Sequence, residues 1–453
     1  MKAWIYNFYI ISKVSWELQV YEFPITYIRD LESIINRYLK KWFKLARCAS
    51  PTVIYRNTDN YGLGLKKLET VYKMLKVGNA HHLKYNPDSN CAALYQAKME
   101  KERDLSHWRA SKMLSEAEWC VSIDDLTTGS RRGGRGGLGL VPTEKLTGKE
   151  KAKKKVAEME EERNIIQNDT YSKVMQGAWT TWDHNMQNDT TWNTLLYGLS
   201  PALVSFMLNS IQMTLPSPDN LVRWGKTSLG QCKLCNNKTC TMLHILSDCR
   251  TSLTDGRYTW RHDNVLTIIT DCAKKAVEDA NKVLEIPEPQ NDYSIHFVKG
   301  GSGKKTNKNS TILQGANDWQ LISDIGEGKL VFPTCIYGTS LRPDLVIFSK
   351  EQKVVIIIEL TCPKEERMAI SNNLKLTKYN AELVPGCRRN GWKVHLYAVE
   401  VGCRGFVSKC FSSIMRQIGL KDVKTLRNHC STTVLRSSYN IWLHRNNKEF
   451  NKW

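Results

Sequence analysis

In the stretch LRPDLVIFSKEQKVVIIIELTCP (residues 341–363), two apolar runs each carry one acid, Asp344 opening the first and Glu359 closing the second. The runs DLVIFS and VVIIIEL flank the polar KEQK at 350–353, the pattern of a β-hairpin with a four-residue loop. If Ser349 faces Val354, the register carries Asp344 directly opposite Glu359. Opposed residues on one sheet face have Cβ atoms ~4.5–5.5 Å apart. Two carboxylates held that close repel unless a cation lies between them. Mg²⁺ held by two carboxylates and completed by water and phosphate oxygens suits the arrangement. It is the constellation of metal-assisted phosphodiester cleavage, in which charge building on phosphate is stabilised and water is activated.

Such chemistry also wants a side-chain cation beside the attacking water. EERMAISNNLKLTKYNAEL (365–383) follows Pro363 and reads as a helix, with Lys375 and Lys378 three apart on one face and Tyr379 adjoining. These lysines are the candidates, with Arg342 as a further contact to phosphate. The residues alone leave a plainer reading open, because an aspartate before a strand is commonly a turn residue and helix lysines are commonly solvated.

A second cluster has metal-ligand spacing. CKLCNNKTCTMLHILSDC contains Cys232-x2-Cys235, then His244 and Cys249. Three thiolates and one imidazole match a closed tetrahedral Zn²⁺ site that folds a small module and leaves no position for substrate. Cys240 is ambiguous: it lies in the intervening loop or replaces a ligand.

The elements that position these groups are mostly helical. Residues 23–46 have helical spacing, with Tyr27, Ile28, Leu31, Ile34, Ile35, Tyr38, Leu39, Trp42 and Phe43 on one stripe. GSRRGGRGGLGLVP (129–142) cannot pack and reads as linker. KEKAKKKVAEMEEERNII then reads as a charged, solvated helix whose lysine-before-glutamate order opposes the helix dipole. Lys153, Lys154 and Lys155 in it touch phosphate or direct nuclear import, or simply form a solvated face. The expected domains are a helical region at 1–128, a basic Gly/Lys-rich linker at 129–170, a helical region at 171–297 holding the knuckle (232–249), a linker at 298–318 and a last domain at 319–453. GGSGKK in the second linker lacks the phosphate-loop spacing. With 453 residues, 65 basic against 45 acidic side chains and a net charge of +20, the chain favours a polyanionic partner, nucleic acid above anionic membrane. No stretch approaches the ~20 apolar residues that span a bilayer, and clustered cysteines argue for metal rather than disulfides. The expected location is intracellular.

RPDLVIF…VVIIIELTCPKEER…LKLTKY, followed by GWKVHLYAVEVGCRGF, resembles the restriction-like endonuclease at the C-terminus of R2-type non-LTR retrotransposons, where a C-C-H-C knuckle also precedes the nuclease. RYTWRHDNVL (257–266) and YEFPITYIRDLESIINRYLKKWFKL (21–45) look like further elements of that family, the latter a reverse transcriptase thumb remnant. The resemblance implies an α+β or α/β multidomain chain: a helical N-terminal region, a small zinc knuckle, and a C-terminal PD-(D/E)xK-like nuclease with a mixed sheet flanked by helices. It assigns Asp344 and Glu359 to Mg²⁺, Lys375 to catalysis and Lys378 to its support. It implies a nuclear, Mg²⁺-dependent enzyme nicking DNA for target-primed reverse transcription, with element RNA as a possible second partner; an inactive nucleic-acid-binding relic is the alternative. The family's lysine two residues after the second acid is Thr361 here, so the lysine must come from the following helix. Polymerase fingers and palm are absent from these residues, which implies a truncated element.

Overall fold

The computed structural model describes residues 2–56, 62–102, 108–128, 147–170, 198–282, 311–325 and 330–451. The glycine-rich stretch 129–146, the tryptophan-rich 171–197 and residues 298–310 of the second expected linker lie outside the described residues. The chain divides into two compact units, Met1–Ala178 and Trp179–Trp453.

The first unit is helical. Helix Ile25–Trp42 buries Ile28, Glu32 and Leu39. The broad stripe expected there splits, because Tyr27, Ile34 and Tyr38 are exposed. Helix Gly148–Thr170 corrects the expected linker and solvated helix. Ala152 and Val156 pack with Val77, Met113, Leu114 and Ala117, and buried Glu160 takes the buried Lys73 ammonium at 2.9 Å. The helix starts at a capping box: Thr147 Oγ1 accepts from the Glu150 N–H and Glu150 Oε2 accepts from the Thr147 N–H, at 3.3 and 2.9 Å. That Thr-x-x-Glu pattern is the sequence signal of a real helix start.

The second unit is mixed helix and sheet, with a small four-stranded mixed sheet and a cysteine–histidine cluster. The strands are β1 (Gln320–Ser323), β2 (Leu345–Ser349), β3 (Val354–Thr361) and β4 (Lys393–Glu400), in that spatial order. β1, β2 and β3 are antiparallel, and β4 joins β3 in parallel after a helical crossover. Such a crossover is what parallel pairing requires. β2 is buried along its whole length and β3 along all but its last residue, because helices cover both faces; this is why the strands read as continuous apolar runs. Val346, Phe348, Val355 and Ile357 face Tyr379, Leu383, Cys387 and Trp392 of the crossover. Leu345, Ile347, Ile356 and Ile358 face helices Arg257–Lys282, Phe411–Ile418 and Val423–Leu443.

That second face moves two expected domain boundaries. Val265, Leu266 and Ile269, from the region expected to form a separate 171–297 domain, share one core with the sheet. Leu313, expected in the 298–318 linker, is buried in the same core. Both segments carry apolar side chains that lose their water only against the sheet.

VEVGCRGF (399–406), unassigned from sequence, ends β4 and turns back. Fully buried Arg404 donates from Nε to Glu365 Oε2 at 2.6 Å and from its backbone N–H to Glu365 Oε1 at 2.7 Å, and it pairs with Glu366. The residue must be glycine at 402, where a Cβ would lie 2.4 Å from the Glu365 carboxylate. This charge cluster fixes the short turn Glu365–Arg367 that launches helix Met368–Ala381. Arg404→Ala strands buried Glu365 and is expected to cost roughly 3–5 kcal/mol, read as an earlier urea midpoint with an unchanged slope. An unmoved midpoint would show that the cluster contributes nothing to stability.

Candidate functional site: an acidic pair and a cysteine–histidine cluster

The hairpin register is the expected one: Ser349 pairs with Val354, and the ladder runs to Leu345–Ile358. Asp344 and Glu359 are the next residues on each side; Asp344, just outside β2, meets His262 of helix Arg257–Lys282, and Glu359 meets Lys375 of helix Met368–Ala381. Each acid is anchored by one oxygen. Asp344 Oδ2 accepts the Leu360 N–H at 2.7 Å and lies 3.4 Å from His262 Nε2. Glu359 Oε2 accepts Lys375 Nζ at 2.7 Å, while its Oε1 is buried without a hydrogen-bond partner. Thr361 Oγ1, at the position where the family pattern has its lysine, is likewise buried and unpartnered.

The two acids are driven apart electrostatically. Burial and the nearby Asp344 carboxylate push Glu359 up to about 7, against the opposing pull of Lys375. Burial also pushes Asp344 upward, but His262 and Lys375 outweigh it and hold Asp344 below its ordinary range. One acid readily ionised beside one reluctant to ionise is what two close carboxylates short of positive charge must do.

Sequence reasoning missed His262 as a member of this site. It lies on helix Arg257–Lys282, with Nδ1 3.0 Å from Asp263 Oδ1 and Nε2 3.1 Å from the Leu360 carbonyl. Both ring nitrogens face oxygen acceptors, so both carry protons. Burial alone would discharge the ring, yet Asp263 and Asp344 raise it to about 10. The signal in the sequence was a histidine set between an arginine and an aspartate on an amphipathic helix.

The other expected residues are placed as follows. Lys378 lies over the Tyr379 ring, 4.7 Å from its centroid, and Tyr379 donates its hydroxyl to the Arg342 carbonyl. Arg342, expected to face phosphate, is engaged by Asp324 through bonds of 2.7 and 3.0 Å. Lys153, Lys154 and Lys155 belong to the other unit. Lys153 is half-buried, with its ammonium lowered by burial and by Lys149; Lys154 is exposed; Lys155 pairs with Glu158 at 3.5 Å.

Cys232, Cys235, His244 and Cys249 bring their ligand atoms within 4.8 Å of one another, a cluster that can hold a metal such as zinc. Cys232 Sγ and Cys249 Sγ are 3.9 Å apart, close to the ~3.8 Å edge of a tetrahedron with ~2.3 Å Zn–S bonds. His244 Nε2 lies 3.2 Å from Cys235 Sγ, and Asn237 meets Nδ1 at 3.3 Å, fixing the ring. Burial lowers His244, favouring the neutral imidazole a metal requires. Cys240 is outside this cluster; it is buried, and its N–H bonds the Gly230 carbonyl. The knuckle is locked to the sheet. Tyr258 donates to the Ile245 carbonyl at 2.9 Å, and Arg261 donates to the Leu246 carbonyl at 2.8 Å and the Cys362 carbonyl at 3.0 Å.

No protein-family model matches the chain, and no curated protein matches it. Among the described residues, no helix is long and apolar enough to cross a membrane.

Proposed function

We propose that residues 179–453 form a Mg²⁺-dependent DNA endonuclease of the PD-(D/E)xK type, related to the restriction-like nuclease of R2-type non-LTR retrotransposons. The observation that carries this reading is the buried, unpartnered Oε1 of Glu359 beside Asp344. A buried carboxylate oxygen without a donor is costly, and a hard divalent cation shared with Asp344 offsets that cost. The donor set is all oxygen, as Mg²⁺ prefers. Further support comes from Lys375 arriving from the helix after β3, where Thr361 leaves the usual lysine position empty of charge. Knuckle and sheet also occur in the order the family shows.

Asp344 and Glu359 would hold the ion. When bound, Mg²⁺ supplies positive charge to the phosphate and lowers the pKa of a coordinated water. Lys375 holds Glu359 in position and adds a cation at the reacting phosphate. His262 and the Leu360 N–H fix Asp344. The net charge of +20 draws the DNA backbone in. The cut would leave one strand with a 3′-hydroxyl able to prime copying, and the protein would act in the nucleus.

The test is nicking of supercoiled DNA by the full chain with Mg²⁺ and with chelator. Mg²⁺-dependent relaxed circles are expected; DNA binding without cleavage would select a non-catalytic binder instead. A pH series adds a second check. Glu359 faces Asp344, Lys375 and Tyr379 and keeps its proton up to about pH 7, so cation and proton compete for it. Cation affinity should fall by ~tenfold per pH unit below 7 and level off above it, as read by Mn²⁺ titration at pH 6, 7 and 8. A flat profile would show that Glu359 is not a ligand.

A further inference from the structure

Asp344 Oδ2 is held by two groups from different parts of the chain: it accepts the Leu360 N–H on β3 at 2.7 Å and makes an ion-pair contact of 3.4 Å with His262 Nε2 on helix Arg257–Lys282. His262 is itself fixed at both ends, by Asp263 at Nδ1 and by the Leu360 carbonyl at Nε2. Its neighbour Arg261 is buried and bonds the Cys362 carbonyl at 3.0 Å, so this turn of helix cannot slide along β3. With Oδ2 held from two sides, Asp344 Oδ1 makes no hydrogen bond among the described residues, and the buried Glu359 Oε1 likewise makes none.

We propose that His262 is a positioning residue for Asp344: its charged ring, tied to the Leu360 carbonyl and 3.4 Å from Oδ2, confines that oxygen and leaves Oδ1 for the cation shared with Glu359. This rests on the cation-site reading above. Outer partners of metal-binding side chains typically change affinity by about 10–100-fold when removed. A competing role gives the opposite sign. If His262 acted only as a neighbouring positive charge, deleting it would tighten cation binding, because like charges repel.

Two substitutions separate the roles. His262→Ala and His262→Gln both delete the charge, but glutamine keeps an N–H donor where Nε2 lies. Mn²⁺ binding to the full chain, followed by the electron paramagnetic resonance of the free ion, is the probe. His262→Ala is expected to bind at least about tenfold more weakly than His262→Gln, with equal zinc content and equal melting in the absence of Mn²⁺. Equal Mn²⁺ affinity of the two variants, or tighter binding by His262→Ala, would overturn the proposal. If His262→Ala does not fold, His262→Phe keeps the ring volume without a donor and gives the same comparison. Asp344→Ala is the reference. Weakened binding there with equal affinity in the two histidine variants defeats only the positioning role, whereas unchanged binding in Asp344→Ala removes the cation site itself.

Discussion

Asp344→Ala is expected to reduce Mg²⁺-dependent nicking at least about a thousandfold, ~4 kcal/mol in the barrier. The loss follows from the geometry. Asp344 is the ionised member of the pair, held below the ordinary carboxylate range by His262 and Lys375 against its own burial. Without it, Glu359 faces Lys375 alone, and one carboxylate neutralised by one ammonium has little charge left for a divalent ion. DNA binding should persist, because phosphate contacts are spread over the basic surface rather than placed at this carboxylate. Glu359→Gln should act similarly, since it replaces the buried orphan oxygen's charge with a neutral amide while keeping the side-chain volume. The measurement is single-turnover nicking with binding followed in parallel by a mobility shift. Nicking at wild-type rate by the folded Asp344→Ala chain would remove the acidic pair from any catalytic account.

Loss of the ion from the cysteine–histidine cluster is the other large effect expected, and it should reach well beyond the knuckle. Structural zinc sites contribute on the order of 10–16 kcal/mol of apparent binding free energy, comparable with the ~5–15 kcal/mol that stabilises a whole domain. Here the knuckle has its own ties to the core. Tyr258 bonds the Ile245 carbonyl, and Arg261 bonds the carbonyls of Leu246 and Cys362. Without metal, three thiols and an imidazole within 4.8 Å have no common partner, and the carbonyls that Arg261 holds lose their fixed positions. Cys232→Ser, or a strong chelator, should therefore lower the melting temperature of the sheet-containing unit as a whole. Thermal melting followed by tryptophan fluorescence, with zinc content measured by atomic emission, checks this. A metal-free chain that melts at the same temperature would show the cluster to be four ordinary buried groups.

The hairpin was legible from sequence because its determinants are local. A four-residue polar loop between two apolar runs sets the register, and the two-residue period of a strand then decides which side chains share a face. Asp344 and Glu359 are brought together by that arithmetic, and the ladder ends at Leu345–Ile358, one residue short of them. The cysteine–histidine cluster is local in the same sense, since Cys232, Cys235, His244 and Cys249 lie within one short stretch. The lysine helix followed from Pro363 and from the three-residue spacing of Lys375 and Lys378.

Tertiary structure decided what depends on chain segments meeting from far away. His262 reaches Asp344, Arg404 reaches Glu365, and Asp324 engages Arg342, each across long stretches of sequence. No spacing rule encodes such pairs; they exist because burying the apolar faces of Arg257–Lys282 and the sheet in one core fixes where the polar ends must meet. Helix Gly148–Thr170 makes the same point from the other side. Its charge run reads as solvated until Ala152 and Val156 find a partner surface on Leu68–Lys84. The sequence by itself determined the acid-bearing hairpin and the metal-ligand spacing, through covalent reach and strand period. Only the fold decided which cations and donors surround them, because that choice is made by packing between segments that the chain's local geometry leaves independent.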